Sequence, residues 1–161
     1  MKPFPKRIYH TPAEFLADFH YIFSRRKLVR RAMRQLISYP FRERLMMTVT
    51  AVNGCRYCRY YHIGESKKAG LTETEMRDLL AGQVPADAPA AELPALMYAQ
   101  TWADANADPP AEAVQLLLDT YGAEMADAIH IVLRMIRVGN LLGNTTDYLL
   151  YRFSFGKFGG V

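Results

Sequence analysis

At 161 residues, half of them hydrophobic and 22% charged, the chain is long enough to close one core and short for two. No uncharged apolar run reaches the eighteen or so residues that span a bilayer, which excludes a membrane helix; residues 1–10 carry Lys2, Lys6 and Arg7 with no apolar stretch behind them, so no secretory signal and a cytoplasmic location are expected. The net charge of +4 is uneven, with 11 Lys and Arg against 3 Asp and Glu in residues 1–44 and 9 against 13 in the remainder.

The pattern is helical nearly throughout, Val and Ile being scattered rather than alternating, and it predicts an all-α, single-domain bundle. Thr11-Pro12-Ala13-Glu14 is a capping box with proline at the first helical position, opening a helix to about Phe23. From Arg25 to Ser38 the cations Arg25, Arg26, Lys27, Arg30, Arg31 and Arg34 interleave with Leu28, Val29, Met33, Leu36 and Ile37 at helical spacing, ending before Pro40. This reads as a solvated face on an amphipathic helix rather than a nucleic-acid surface, so residues 1–39 are expected to form a basic extension packed on a domain of residues 40–161.

A helix from Phe41 to about Val52 follows, then one that starts after Asn53-Gly54 and runs to Ala69, where Gly70 stops it. Thr72-Glu73-Thr74-Glu75 is a second capping box, for a helix to about Ala81, and Gly82 to Ala91, with Pro85 and Pro89, is the clearest loop. Helices are then expected from Leu93 to Ala105, from Pro110 to Tyr121 behind an Asp108 cap, and from Ala123 to about Phe153. Within the last, Gly139 and Gly143 would admit close approach by another helix or mark a break. The tail from Phe155 to Val161 reads as frayed or docked on a neighbour.

The chemistry concentrates in Cys55-Arg56-Tyr57-Cys58-Arg59-Tyr60-Tyr61-His62, which holds both cysteines of the chain. At about 100° per residue, Cys55, Cys58 and His62 fall within an arc of about 60°, so two sulfurs and an imidazole share one helical stripe. Gly54 is expected to put Cys55 in the first helical turn, where unsatisfied N–H groups favour thiolate, and Arg59 is expected to add a cation to the same stripe. In a reducing compartment, cysteines at this spacing are catalytic or metal-binding more often than a structural staple. A second thiol within reach protects a sulfenic acid from further oxidation, and an imidazole titrates in the range useful for preparing a thiolate.

Upstream, eleven residues separate Glu43 from Cys55. The order Glu43, Cys55, Cys58, His62, together with Phe41-Arg42-Glu43-Arg44 and Val52-Asn53-Gly54-Cys55, resembles the carboxymuconolactone decarboxylase superfamily, specifically its alkylhydroperoxidase D-like branch. The resemblance is best from Pro40 to Leu80 and weaker in Leu96-Met97-Tyr98-Ala99 and Gly139-Asn140-Leu141-Leu142-Gly143-Asn144-Thr145. It implies a helical domain that assembles into a homo-oligomer, a trimer or hexamer, with the cysteines or the Gly139 to Gly143 stretch near an interface. It further implies that Cys58 attacks a hydroperoxide, that Cys55 resolves the sulfenic acid to a disulfide, and that Glu43 and His62 relay protons. The substrate would be an organic hydroperoxide or a disulfide, the reductant an external dithiol, and no cofactor, metal or membrane is called for. Tyr57 stands where that branch carries a histidine; tyrosine is too weak an acid to serve as the base, which leaves its hydroxyl the role of holding a water.

Competing readings are a non-redox, decarboxylase-like enzyme acting on a small lactone acid and a helical binding protein whose thiols sense redox state. A zinc site on Cys55, Cys58, His62 and Glu43 has acceptable ligand types but lacks the two separated ligand pairs of closed sites. Tyr57, Tyr60 and Tyr61 are expected to pack in the core or an interface, His130 to be a hydrogen-bonded core histidine, and Trp102 to be packing; His10 and His20 carry no companion residues.

Overall fold

A computed structural model describes residues 3–160; Met1, Lys2 and Val161, and with them the Lys2 charge and the last residue of the tail, lie outside the described residues. Those residues form seven α-helices and no strand, packed as one compact domain. None of the helices is long and apolar enough to cross a membrane.

Helix α1 (Pro12–Ser24) opens as its sequence dictates: the Thr11 hydroxyl accepts the Glu14 N–H at 3.3 Å, and proline occupies the first turn. Helix α2 (Arg26–Arg31) does not run straight to Ser38 as its periodicity suggests but widens into a π turn, Ala32–Leu36, closed by the Ile37 N–H on the Ala32 carbonyl at 3.2 Å. The extra residue in the turn leaves Ala32 and Ile37 both in the core while Arg25, Arg26, Lys27, Arg30, Arg31 and Arg34 all stay exposed. The basic face is therefore solvated, with Arg31 paired to Glu124 and Arg25 lying over the Tyr21 ring.

Helix α3 (Tyr39–Asn53) begins two residues earlier than expected, because the Ser38 hydroxyl caps it and Pro40 sits in the first turn, where no N–H is required. It is the central helix and touches α4 (Arg56–Lys68), α5 (Glu73–Leu80), α6 (Leu93–Asp104) and α7 (Ala111–Phe153). Leu45 and Val49 pack with Leu96, Ala99 and Trp102 of α6 and with Ile129, Val132, Leu133 and Ile136 of α7. The capping box of α5 is reciprocal: the Thr72 hydroxyl accepts the Glu75 N–H at 3.1 Å, and the Glu75 carboxylate accepts the Thr72 N–H at 2.8 Å. Helix α7 starts without a side-chain cap, Pro110 rather than Asp108 preceding it, and is interrupted at Gly122 (φ 73°, ψ 164°), as the sequence division between Tyr121 and Ala123 anticipates.

Helix α1 is pinned to α7 by a buried ionic cluster. Asp18 accepts from the Tyr9 hydroxyl at 2.8 Å, from Arg134 at 2.7 Å and from Arg137. The Arg134 guanidinium lies over the rings of Tyr21 and Trp102, and Arg137 also reaches the Asn106 side-chain oxygen at 3.1 Å.

Candidate active site

Gly54, left-handed at φ 68°, ends α3 by donating its N–H to the Thr50 carbonyl at 2.9 Å and turns the chain into α4. Cys55 is consequently the N-cap of α4 rather than a residue of its first turn: its backbone is extended (φ −75°, ψ 108°), and its sulfur accepts the Cys58 N–H at 3.3 Å, standing in for the usual cap oxygen. Cys55 is 1% exposed. Cys58 lies one turn along, half-buried, on a cavity of about 470 Å³, and both cysteines are free thiols.

The helix start therefore acts unequally on the two sulfurs. A hydrogen bond from the Cys58 side chain, opposed by burial and assisted by the N–H groups of Cys58 and Tyr57, lowers the Cys55 thiol to about 7. The same hydrogen bond, now from the donor's side, together with burial, pushes the Cys58 thiol well above the ordinary range, while a hydrogen bond from Asn140 pulls the other way. The first ionisation of the pair is thus favoured on Cys55, with Cys58 the thiol held protonated. The helix start favours thiolate at Cys55, from the N-cap rather than from the first turn. Arg59, expected to help, is exposed to solvent, and the charge that bears on Cys55 is the opposing carboxylate of Asp147.

Glu43, near the start of α3, is 2% exposed; its Oε1 lies 3.5 Å from Arg42 Nε, and its Oε2 accepts from Nδ1 of His62 on α4 at 2.7 Å. A carboxylate only accepts, so Nδ1 carries the hydrogen and Nε2 is the ring nitrogen left for proton exchange. Glu43, His62 and Cys58 line one cavity, whose other walls include Met33, Met46, Tyr61 and Met135. Cys55 lies off that cavity, beside a smaller one of about 160 Å³ that Lys6 and Arg56 border.

Helix α7 closes the site from the far side. A Cβ on Gly143 would stand 2.8 Å from the Cys55 sulfur and 3.3 Å from the Tyr57 ring, whereas one on Gly139 would meet the Cys58 sulfur at 3.9 Å. The two glycines do admit a close approach, and what approaches is the start of α4 in the same chain; the helix does not break there. Asn140 accepts from the Asn53 amide and donates to the Thr50 hydroxyl, both at 3.1 Å, and Asn144 donates to the carbonyls of Arg7 and Asn53. Asp147, fully buried, accepts from Lys6 at 3.0 Å, from Arg56 at 2.7 Å and from the Tyr57 hydroxyl at 2.8 Å. Burial alone would raise its carboxyl, but those bonds and the charges of Lys6 and Arg56 outweigh it and hold the group below its ordinary value. The Tyr57 hydroxyl thereby donates to Asp147 while accepting from Arg56.

Asn140, Asn144 and Asp147 were not singled out from the sequence. Their spacing of four and three, on a helix whose same face is otherwise apolar, is the signal that marks a buried polar stripe. Tyr57, Tyr60 and Tyr61 lie outside the core of the chain and are exposed, Tyr60 to 85%. His130 is half-buried and accepts or donates at Nε2 with the Tyr98 hydroxyl at 2.5 Å, Trp102 is buried, and His10 and His20 are exposed. Among the described residues no group of three or more His, Cys, Asp and Glu side chains is arranged to hold a metal ion, so the four predicted site residues do not form a zinc-ligand cluster.

A model of the carboxymuconolactone decarboxylase family matches residues 23–104, a range that takes in α2 to α6, all four predicted site residues and the whole of the basic segment Arg25 to Ser38. The chain belongs to the carboxymuconolactone decarboxylase family. No curated protein and no solved structure matches it.

Proposed function

We propose that the chain is a thiol-dependent peroxidase that reduces organic hydroperoxides, or disulfides, through Cys58 and Cys55 with Glu43 and His62 as the proton relay. The observation that carries this reading is the buried Glu43–His62 pair on the cavity that Cys58 lines, with a second sulfur hydrogen-bonded behind it. Cys58 gives its proton to His62 Nε2 and attacks the terminal hydroperoxide oxygen; the O–O bond breaks, and the alkoxide leaves with the proton from His62. Cys58 is now a sulfenic acid. The Cys55 thiolate, needing no base of its own, attacks that sulfur and expels hydroxide, which takes a proton from solvent to leave as water.

The external dithiol restores the pair by attacking the accessible Cys58 sulfur. Cys55, the thiol of lower pKa and so the better leaving group, departs as thiolate, and the second thiol of the reductant then cleaves the mixed disulfide, which reprotonates Cys58. The reductant loses two electrons, and the Cys55–Cys58 disulfide gains them. Tyr57 forms a wall of the cavity and takes no part in proton transfer. The reading places the enzyme in the cytoplasm as a homo-oligomer, a trimer or hexamer. Exposed Leu142, Leu149 and Phe153 on one face of α7, and Tyr60 and Tyr61 on α4, support an interface there.

A decarboxylase acting on a small lactone acid would leave two neighbouring thiols, one of them with a lowered pKa, without a task. A redox sensor would form the same disulfide without turnover. The test is a cumene hydroperoxide assay with several dithiols on wild type, Cys58→Ser and Cys55→Ser. Catalytic turnover by wild type alone, with dimedone labelling of Cys58 in Cys55→Ser, supports the proposal; equal activity in all three proteins contradicts it.

A further inference from the structure

Helix α1 divides its apolar side chains between two sides. Tyr21 and Ile22 pack on the core, but the residue the helix buries most deeply is a carboxylate, Asp18, while Leu16, Phe19 and Phe23 point outward, each half exposed or more. Those three are spaced three and four apart, so they form one stripe, and the rings of Phe15, Phe19 and Phe23 stand in a row with successive centroids 5.9 and 6.0 Å apart. The bonds from Arg134 and Arg137 to Asp18 fix this orientation, since rotating the helix to bury the stripe would break both.

A single residue, Arg25, separates α1 from α2, where Arg26, Lys27, Arg30 and Arg34 continue the same spacing in cations. Residues 12–39 hold six Lys and Arg against two carboxylates. Of the two, Asp18 is engaged with α7, and Glu14 lies at the far end of α1, where it accepts the His10 N–H at 3.1 Å. Among the described residues only Arg31 of the six cations meets a carboxylate, that of Glu124.

We propose that this face docks on the surface of an anionic phospholipid bilayer, the α2 cations pairing with headgroups while Leu16, Phe19 and Phe23 enter the boundary between headgroups and acyl chains. The partner has to be anionic to complement α2 and apolar just beneath its charged surface to receive α1, and an anionic leaflet offers both. A nucleic-acid duplex offers phosphates without the apolar layer. A second copy docked face to face across a twofold axis would set the unpaired cations of the two chains against each other. The face lies on other helices than the exposed apolar residues of α4 and α7, and it adjoins the active-site cavity, of which Met33, the neighbour of Arg34, is a wall. The inference does not depend on the thiol chemistry.

The test is sedimentation of the full chain with vesicles of phosphatidylglycerol and phosphatidylcholine in equal parts, against vesicles of phosphatidylcholine alone, over a range of salt. The wild type is expected to bind the anionic vesicles only and to be released as salt is raised. Reversing three cations, in Arg26→Glu/Lys27→Glu/Arg30→Glu, is expected to lower the partition coefficient roughly a hundredfold or more, and Phe19→Ser/Phe23→Ser roughly tenfold or more. Both should melt near the wild type, because all five side chains are exposed. Insertion is read separately in Phe23→Trp: the chain's one tryptophan, Trp102, is buried, so a blue shift of emission on adding anionic vesicles reports the new indole. A wild type that ignores anionic vesicles, or a Phe23→Trp that binds them without the shift, overturns the proposal. Retention of a DNA duplex without vesicle binding would assign the cations to nucleic acid, and a light-scattering mass that falls in Phe19→Ser/Phe23→Ser while vesicles stay unbound would make the stripe a subunit contact; either overturns it as well. Should a multiple variant fail to fold, the wild-type dependence on lipid charge and salt, with the Phe23→Trp shift, still decides.

Discussion

Helix α7 buries charge against its neighbours in two places, and the two are built to opposite ends. At the Asp18 cluster every strong acceptor is saturated: three donors converge on one carboxylate, the guanidiniums are covered by aromatic rings, and none of these groups borders the cavity of about 470 Å³. At the cysteine site a buried carboxylate also has its partner, but that partner keeps a free ring nitrogen, and the adjoining sulfur opens on the cavity. A buried carboxylate with its three donors in place, beside an Arg134 Nε that has no partner, holds α1 to the domain. Buried charge with one valence left open, facing a space large enough for a small molecule, is equipped for chemistry.

The contrast is broken most sharply by removing one acceptor from each region. Cys58→Ser is expected to reduce hydroperoxide turnover to the uncatalysed level with little change in stability. Asp18→Asn is expected to do the reverse: it leaves two buried guanidiniums without their anion and should cost about 3 kcal/mol or more, lowering the melting temperature by roughly 6–12 °C while turnover per folded molecule is kept. Chemical denaturation and a peroxidase assay on both proteins check the pair. If Asp18→Asn lost turnover while folded, the division between the two regions would be wrong.

Within the site, Glu43→Gln and His62→Gln are each expected to slow turnover by roughly tenfold or more, with helicity retained on circular dichroism. The double variant should lose less than the product of the two, since the residues act through one hydrogen bond. Next in size is Gly143→Ala, whose Cβ would stand 2.8 Å from the Cys55 sulfur. It should destabilise the fold by about 1–3 kcal/mol and slow closure of the disulfide, measured by quenched alkylation after a pulse of peroxide, whereas Gly139→Ala, with only ordinary contact to make, should do neither.

The smallest effect expected is a titration. Thiolate absorbance near 240 nm should rise through a midpoint of about 7 and account for one thiolate per chain, Cys58 staying protonated well past that point. Because the folded value of Cys55 lies below the ~8.5 of an unfolded cysteine, its ionisation stabilises the fold fully above that unfolded value. The contribution falls away as pH drops through about 7. Two thiolates titrating together would show that the sulfurs are not coupled.

The closed region was illegible in the sequence, and the open one was partly legible, for the same physical reason. Asp18 meets Arg134 and Arg137 only because α1 folds back on α7, and nothing local to any of the three announces it. The capping boxes at Thr11 and Thr72 and the break at Gly122 are contained within a few residues each, and they could be read directly. The order Glu43, Cys55, Cys58, His62 sits within twenty residues and carried the family resemblance. The π turn at Ala32–Leu36 was hidden because one extra residue in a turn hardly disturbs helical periodicity. Cys55 was placed one position too far into the helix: it is the N-cap, where its sulfur accepts the Cys58 N–H. Tyr57, Tyr60 and Tyr61 were read as packing in the core or an interface, and their exclusion from the core of the chain depends on which helices surround α4.

The central claim, that Cys58 and Cys55 form a two-electron couple driven by a hydroperoxide, is tested most directly by a single turnover without reductant. Fully reduced protein is mixed with one equivalent of cumene hydroperoxide, quenched with an alkylating agent and weighed intact, and the alcohol formed is measured alongside. The account predicts one alcohol per chain, with the protein lighter by about two mass units, the two thiol hydrogens lost as an internal disulfide forms, and neither cysteine alkylated. Two freely alkylated cysteines, or alcohol formed with no change in the thiols, would contradict it.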